Sequence, residues 1–337
     1  MPSSLPRPVG PFAVHPIGLG CMNLDHGYGP SVSEEQGARV LLAALDAGYD
    51  FFDTATLYGG GANEERLGRV LASRRRRFVL ASKCGLEIVG ADGQRQQIID
   101  GRPETLRRQC EASLRRLRTE VIDLYYLHRW DRRVPIEDSV GELSRMVERG
   151  WVRAIGLSEV SAPTLRRAHA VHPVAAVQSE YSLWTRNPEI AVLDACRELG
   201  VAFVAFSPVA RGYLSDSPPD PAAFWERDIR RTMPRFAEPN WSANLTLLAP
   251  LRALAAELGC TTAQLALSWL LHRAPHLVAI PGTRSEAHLR DSFAAMQLQL
   301  DASTLQRLSA MLDGGRVHGE RYGEKARREV DTEEAGG

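Results

Sequence analysis

The stretch SEEQGARVLLAALDAGYDFFDT, Ser33 to Thr54, contains the unit from which most of the chain is built. Val40, Leu41, Ala44 and Leu45 fall on one face of a helix of 3.6-residue period, and Gly48 can supply a left-handed C-cap. Tyr49 to Thr54 then reads as a short buried strand, rich in aromatic residues. Helix, glycine and strand recur along the chain. Strands are predicted near Ile17 to Cys21, Tyr49 to Thr54, Phe78 to Lys83, Ile122 to His128, Val152 to Ser158, Ala175 to Ser179, Val201 to Ser207 and Leu277 to Pro281. Helix starts between them are signalled by Asn63 before EERLGRVLA, Pro103, Pro135 before IEDSVGELSRMVERG, and Ser161 before APTLRRAHA.

At 337 residues the chain could hold two ordinary domains or one large barrel. Eight strands each followed by a helix can close into a parallel barrel, because right-handed crossovers put every helix outside. The expected fold class is therefore α/β, a single-domain (β/α)8 TIM barrel over residues 1–313. An open doubly wound sheet is disfavoured: Gly18-Leu19-Gly20-Cys21-Met22-Asn23 lacks the third glycine of a dinucleotide fingerprint and is not followed directly by a helix. Residues 211–241 combine Pro, Arg and Trp without a period, which predicts a long loop after the seventh strand, placed to cover a ligand. Residues 314–337 form a Gly-rich, charged tail, expected to be partly disordered beyond Tyr322.

Lys plus Arg equals Asp plus Glu at 41 each, so nothing in the overall charge calls for nucleic acid or an anionic membrane. The basic runs Arg74 to Arg77 and Arg115 to Arg118 read as solvated helix ends. The cysteines at 21, 84, 110, 196 and 260 are odd in number and widely spaced, unlike a disulfide or zinc framework, and no metal site is expected. With no signal-peptide pattern at the start and no long apolar run, the expectation is a cytoplasmic protein, a monomer by default.

In a barrel, reactive side chains gather at the C-terminal ends of the strands. Asp53 and Tyr58 lie at and just past the second strand in FFDTATLYGGG, Lys83 ends the third in FVLASK, and His128 ends the fourth in IDLYYLH. Each alone has a plainer role: a cap, a loop aromatic, a strand-end cation, a core histidine. Together on successive strand ends they suit carbonyl reduction. A tyrosine donates a proton to a growing alkoxide if an adjacent cation such as Lys83 brings its pKa toward neutral. Asp53 can balance the lysine, and His128 can orient the carbonyl oxygen.

Asp53-Thr54-Ala55 with Tyr58-Gly59 and Asn63-Glu64, then Lys83, then the strand from Asp123 to His128, resemble the aldo-keto reductase signature, and the likeness runs from about Gly18 to Phe293. The subgroup it resembles is bacterial in type, pyridoxal reductase-like and broad in specificity. The resemblance implies NADP-linked oxidoreduction, in which reduced nicotinamide binds first, hydride passes to an aldehyde or ketone, and Tyr58 supplies the proton. It further implies that Ser158 and Gln178 hold the carboxamide, that Phe206 stacks on the nicotinamide ring, and that Ser207, Pro208 and Arg211 cover the pyrophosphate. Gly20 and Met22, beside Asp53, fall in the same cofactor set. The turn Ile280-Pro281-Gly282-Thr283-Arg284 also suits a phosphate on physical grounds, with backbone N–H groups and a guanidinium before a helix. Arg284, with His288, would then meet the 2′-phosphate of NADPH, and Asp291 would sit near the adenine.

The sequence departs from the family pattern in places. Glu159 follows Ser158 where many members carry asparagine, His288 stands where arginine is frequent, and Ser292 where asparagine usually reads the adenine; these departures weaken the phosphate preference, and NADPH is still expected ahead of NADH. The substrate mouth is expected to be lined by Met22, Asn23, Leu57, Tyr58 and Trp130, with Trp225 or Trp241 from the long loop, an apolar pocket for a small carbonyl compound. Two other readings compete. An NADPH-binding sensor resembling a regulatory β-subunit would use the same barrel with little turnover, and an isomerase or aldolase would use Lys83 as a Schiff-base amine. The intact set of Asp53, Tyr58, Lys83 and His128 favours turnover, and a lysine paired with Asp53 is a poor nucleophile.

Overall fold

A computed structural model of the protein describes residues 4–90, 96–313 and 315–334. Its strands are β1 (Arg7–Val9), β2 (Phe12–Val14), β3 (Leu19–Gly20), β4 (Phe51–Asp53), β5 (Val79–Cys84), β6 (Leu86–Val89), β7 (Gln96–Ile99), β8 (Ile122–Leu127), β9 (Val152–Ser158), β10 (Val174–Glu180), β11 (Ala202–Phe206) and β12 (Leu277–Ala279). Eight of them, β3, β4, β5, β8, β9, β10, β11 and β12, pair in that order and all in parallel. The ring closes where Ile17 bridges Ala279 and the Gly18 N–H donates to the Ala279 carbonyl at 2.9 Å. This is the expected single-domain (β/α)8 barrel.

The repeating unit forms as its chemistry demands. Ser33 caps the helix Glu34–Ala47 by accepting from the Gln36 N–H at 3.1 Å, and Gly48 ends it at φ 99°. The face bearing Val40, Leu41, Ala44 and Leu45 is buried against the barrel wall. Inside the barrel, Phe51, Ala81, Leu124, Tyr126, Ala176, Val204 and Val278 form one buried cluster. Size is matched across the strands: Tyr126 on β8 stands in register with Gly156 on β9, where a Cβ would lie 2.4 Å from the tyrosine ring.

Two hairpins had no visible signal in the sequence. The β1–β2 hairpin inserts Val9 and Val14 into the barrel cluster at its N-terminal end, and Arg7 donates to the carbonyls of Leu271, Ala274 and Leu277. Strands of three residues beside Pro and Gly are too short to show alternation. The β6–β7 hairpin rises from the end of β5 past Gly85, at φ 82°, toward the open face.

The long segment at 211–241 is a series of short turns closed by the helix Asn240–Leu245, held by an aromatic core that it shares with Trp184 from the loop after β10. Trp184 stacks on Tyr213 at 4.2 Å and Phe236 on Trp241 at 5.4 Å. Of the tail expected to be partly disordered beyond Tyr322, residues 323–334 are described and 335–337 lie outside the described residues. Tyr322 and Val330 are buried, Glu324–Arg328 is helical and Asp331 bridges Val160, because the tail's charges find partners on the barrel. The basic runs are also only partly solvated: Arg75 pairs with Asp123 at 2.6 Å and Arg116 with the buried Glu64 at 2.6 Å. Among the described residues no single helix is long and apolar enough to cross a membrane.

Candidate active site

Asp53, Lys83 and His128 reach one mouth because β4, β5 and β8 end there side by side. Tyr58 arrives on the turn Tyr58–Gly61, which needs its glycines: Gly59, Gly60 and Gly61 all lie at positive φ. The Lys83 ammonium is fully buried and spends its donors on the Asp53 carboxylate, the Thr54 carbonyl at 2.9 Å and the Tyr58 oxygen at 3.3 Å. The second Asp53 oxygen accepts from the Gln178 amide at 2.8 Å. Burial works against the charge on Lys83, but Asp53 and Tyr58 outweigh it and its pKa is raised, so it stays protonated.

Tyr58 differs from the sequence expectation. Burial pushes its phenol up from the ordinary value, against the downward pull of Lys83 and Arg129. The lysine's charge is already shared with Asp53, so it offsets desolvation only in part. The phenol is thereby kept protonated, as a proton donor requires. His128 stands edge-on to Tyr58, ring centroids 5.9 Å apart. Burial, and then the nearby charges of Arg129, Lys83 and His26, hold its pKa well below the ordinary value, so it is a neutral imidazole. Its Nδ1 is buried with no hydrogen-bond partner among the described residues.

From this mouth a cavity of about 1610 Å³ runs along the C-terminal face of the barrel. Gly20, Met22, Asn23, Leu57, Ser158, Gln178 and Phe206 line its inner part, and Ser207, Pro208, Arg211, Gly282, Thr283, Arg284, His288, Asp291 and Ser292 its far end. Several features fit an extended anionic dinucleotide. A Cβ on Gly20 would meet the Ile280 carbonyl at 2.7 Å, and one on Gly282 the Asn23 side chain at 2.7 Å, so backbone lines the channel closely. Arg284 is anchored by its Nε on the Asn23 carbonyl at 2.5 Å, while its Nη2 is buried without a partner among the described residues. An unmatched guanidinium nitrogen at the far end of the channel is the donor a phosphate would use.

Not every predicted residue is free to act. Arg211 lines the cavity, but its guanidinium is held by Glu180 at 2.6 Å and by the hydroxyls of Tyr28 and Tyr322, so any hold on a pyrophosphate comes from the backbone around it. Asp291 accepts from the Thr261 hydroxyl at 2.9 Å. Trp130 is outside the cavity: its indole N–H donates to the Val134 carbonyl at 2.9 Å, and its ring packs with Arg132 and Arg167. Trp225 and Trp241 also lie off the lining, beside Arg227 and in the loop's aromatic core. Tryptophan served those surfaces for packing area, and sequence could not separate that use from substrate contact.

Other lining residues carried no sequence signal. His26 stacks on Tyr58 at 5.8 Å, Leu86 and Gln97 come from the β6–β7 hairpin, and Tyr322 to Ala326, Glu329 and Val330 come from the tail. The loop bearing Met22, Asn23 and His26 is pinned from behind. Asp25 accepts from the Asn63 amide at 2.7 Å and from both Arg66 Nε and Nη2, and the Asn63 amide also reaches the Cys21 carbonyl. The pair Asn63-Glu64, quoted above as signature, therefore works behind the site, with Glu64 accepting from the Ser82 hydroxyl at 2.5 Å.

Residues 16–313 match the aldo/keto reductase family. An NADP(+) aldo-keto reductase of Schizosaccharomyces pombe is 41% identical over 321 residues, covering 94% of each chain. Among solved structures, a glycerol dehydrogenase from Gluconobacter oxydans superposes with a TM-score of 0.83 at 29% identity, covering 93% of this chain and 96% of that one. An aldo/keto reductase from Klebsiella pneumoniae in complex with NADP and acetate gives 0.71 at 26%, covering 95% and 98%. With the barrel, the buried Lys83–Asp53 pair touching Tyr58, and this match over most of its length, the chain belongs to the aldo/keto reductase family.

Proposed function

We propose that this protein reduces an aldehyde or ketone to an alcohol with NADPH, with Tyr58 as proton donor. The observation that carries the reading is the position of Tyr58, its oxygen 3.3 Å from a fully buried, charged Lys83 at the mouth of a cavity of about 1610 Å³. When bound, the reduced nicotinamide supplies the hydride to the carbonyl carbon. Tyr58 then gives its phenolic proton to the carbonyl oxygen as that oxygen becomes an alkoxide. Lys83 stabilises the phenolate left behind, and Asp53 keeps Lys83 charged and aimed. His128, being neutral, offers one N–H to the carbonyl oxygen and polarises it. Ser158 and Gln178 flank the place for the carboxamide, and Arg284 suits the 2′-phosphate. The relatives whose names carry NADP support that choice of cofactor.

The test is loss of nicotinamide absorbance when NADPH is mixed with a panel that includes 4-nitrobenzaldehyde, methylglyoxal and pyridoxal. Tyr58→Phe should cut kcat by roughly 10²–10⁴-fold, the usual contribution of a positioned general acid, and leave the Kd for NADPH unchanged. Tight NADPH binding with no turnover across the panel would sink the reductase reading in favour of a cofactor-bound sensor.

A further inference from the structure

Glu159 occupies a costly position. It follows Ser158, is fully buried, and adopts φ 54°, a left-handed conformation that side chains other than glycine rarely take. One carboxylate oxygen accepts from the Glu180 N–H at 2.9 Å, which ties the end of β9 to β10 two residues beyond Gln178. Ser158 and Gln178 stand in register on β9 and β10, and Glu159, directly after Ser158, donates its N–H to the Gln178 carbonyl at 2.9 Å, so it lies beside both residues read as the carboxamide holders. A buried carboxylate there needs a cation; Arg211 is already paired with Glu180, and Arg129 donates to the carbonyl of His128 and the Ser158 hydroxyl.

The cation comes from the tail, beyond the last residue of the family match. Both terminal nitrogens of Arg321, which is 10% exposed, reach the Glu159 carboxylate. The pairing is reinforced on either side. Tyr322 presents its hydroxyl to Arg211 at 3.4 Å, the Asp331 N–H donates to the Glu159 carbonyl at 2.9 Å, and the Asp331 carboxylate accepts from Ser161 and Thr164. The tail that closes over the mouth is thus attached to the backbone beside Ser158.

We propose that Arg321 is a positioning residue of the cofactor site: by neutralising Glu159 it holds the Ser158–Glu159 edge in the geometry that receives the nicotinamide carboxamide, so that the folded tail is part of that site. The inference rests on the cavity being a nicotinamide site. It follows that tail docking and cofactor binding favour one another, since coupling between two sites is reciprocal.

The test uses the full-length chain. Arg321→Met should raise the Kd for NADPH, read by quenching of tryptophan fluorescence, at least tenfold. Glu159→Gln combined with Arg321→Met, which removes the orphaned charge, should bring it back to within threefold of wild type. Unchanged binding in Arg321→Met, or no recovery in the double variant, overturns the proposal. The wild-type protein gives a second reading that no folding defect can obscure: saturating NADPH should slow tryptic cleavage in the Arg321–Arg328 segment at least fivefold, and equal rates with and without NADPH overturn the coupling. If wild type binds no NADPH at all, it is the reading of the cavity that fails.

Discussion

Replacing Lys83 by methionine separates what the lysine does for the fold from what it does for the reaction. The side chain is fully buried and donates to Asp53, Thr54 and Tyr58, and methionine fills a similar volume with no donor. Among the described residues Asp53 would keep only Gln178 as a side-chain partner. Removing one partner of a buried pair leaves an uncompensated charge and costs about 3–5 kcal/mol. Burial already presses the Asp53 pKa upward, and without Lys83 nothing charged opposes it. A carboxyl raised in the folded state binds more protons folded than unfolded, so the variant's deficit should be largest near neutral pH and shrink as the pH falls toward about 5. Urea unfolding at both pH values reads this directly. Asp53→Asn with Lys83→Met should recover at least half of the lost stability, yet both variants should remain roughly 10²–10⁴-fold down in kcat, because the phenolate of Tyr58 has lost its cation. Undiminished stability of Lys83→Met near neutral pH, or recovered turnover in the double variant, would refute the reasoning. The choice of lysine is itself informative: of 41 Lys and Arg residues only Lys83 and Lys325 are lysine, so a compact ammonium is kept at this site in a chain that otherwise prefers guanidinium.

Arg284→Ala removes a buried guanidinium nitrogen that has no partner among the described residues, and a hydrogen bond to a charged group is worth about 1.5–3 kcal/mol, so the Kd for NADPH should rise roughly ten- to a hundredfold with little change for NADH. Equal losses by isothermal titration would rule out a 2′-phosphate contact. His128, held well below its ordinary pKa first by burial and then by neighbouring charges, should remain neutral, so kcat/KM should show no break from its titration between about pH 6 and 8. A break in that range which disappears in His128→Gln contradicts the neutral imidazole. Trp130→Phe should leave KM within about twofold for every carbonyl tested, because the indole faces Val134 and two arginines outside the cavity and surface changes of this kind are small. A larger, substrate-dependent shift would put Trp130 back in the mouth.

The repeat of helix, glycine and strand could be read from the sequence because each unit is local: a 3.6-residue apolar stripe, a left-handed cap and a buried strand leave marks within twenty residues of one another. The positions of Asp53, Lys83 and His128 at one mouth were readable for the same reason, since a polar residue ending an apolar strand stands out and the parallel barrel places all such ends on one face; Tyr58 was readable from the glycine-rich turn just past the strand that ends in Asp53. The turn at Gly282 to Arg284 stood out as glycine and arginine ahead of a helix start. Tertiary structure alone decided the net pKa of Tyr58, where burial outweighs the nearby ammonium, because desolvation depends on everything packed around the ring. It also decided that Trp130 and Trp241 pack rather than line the mouth, that Arg211 is engaged by Glu180, and that a charged tail folds back to give Arg321 to Glu159 across 162 residues of chain. Long-range charge pairing leaves no periodicity in a sequence. A guanidinium destined for a buried carboxylate reads the same as one destined for water until the partner is brought beside it.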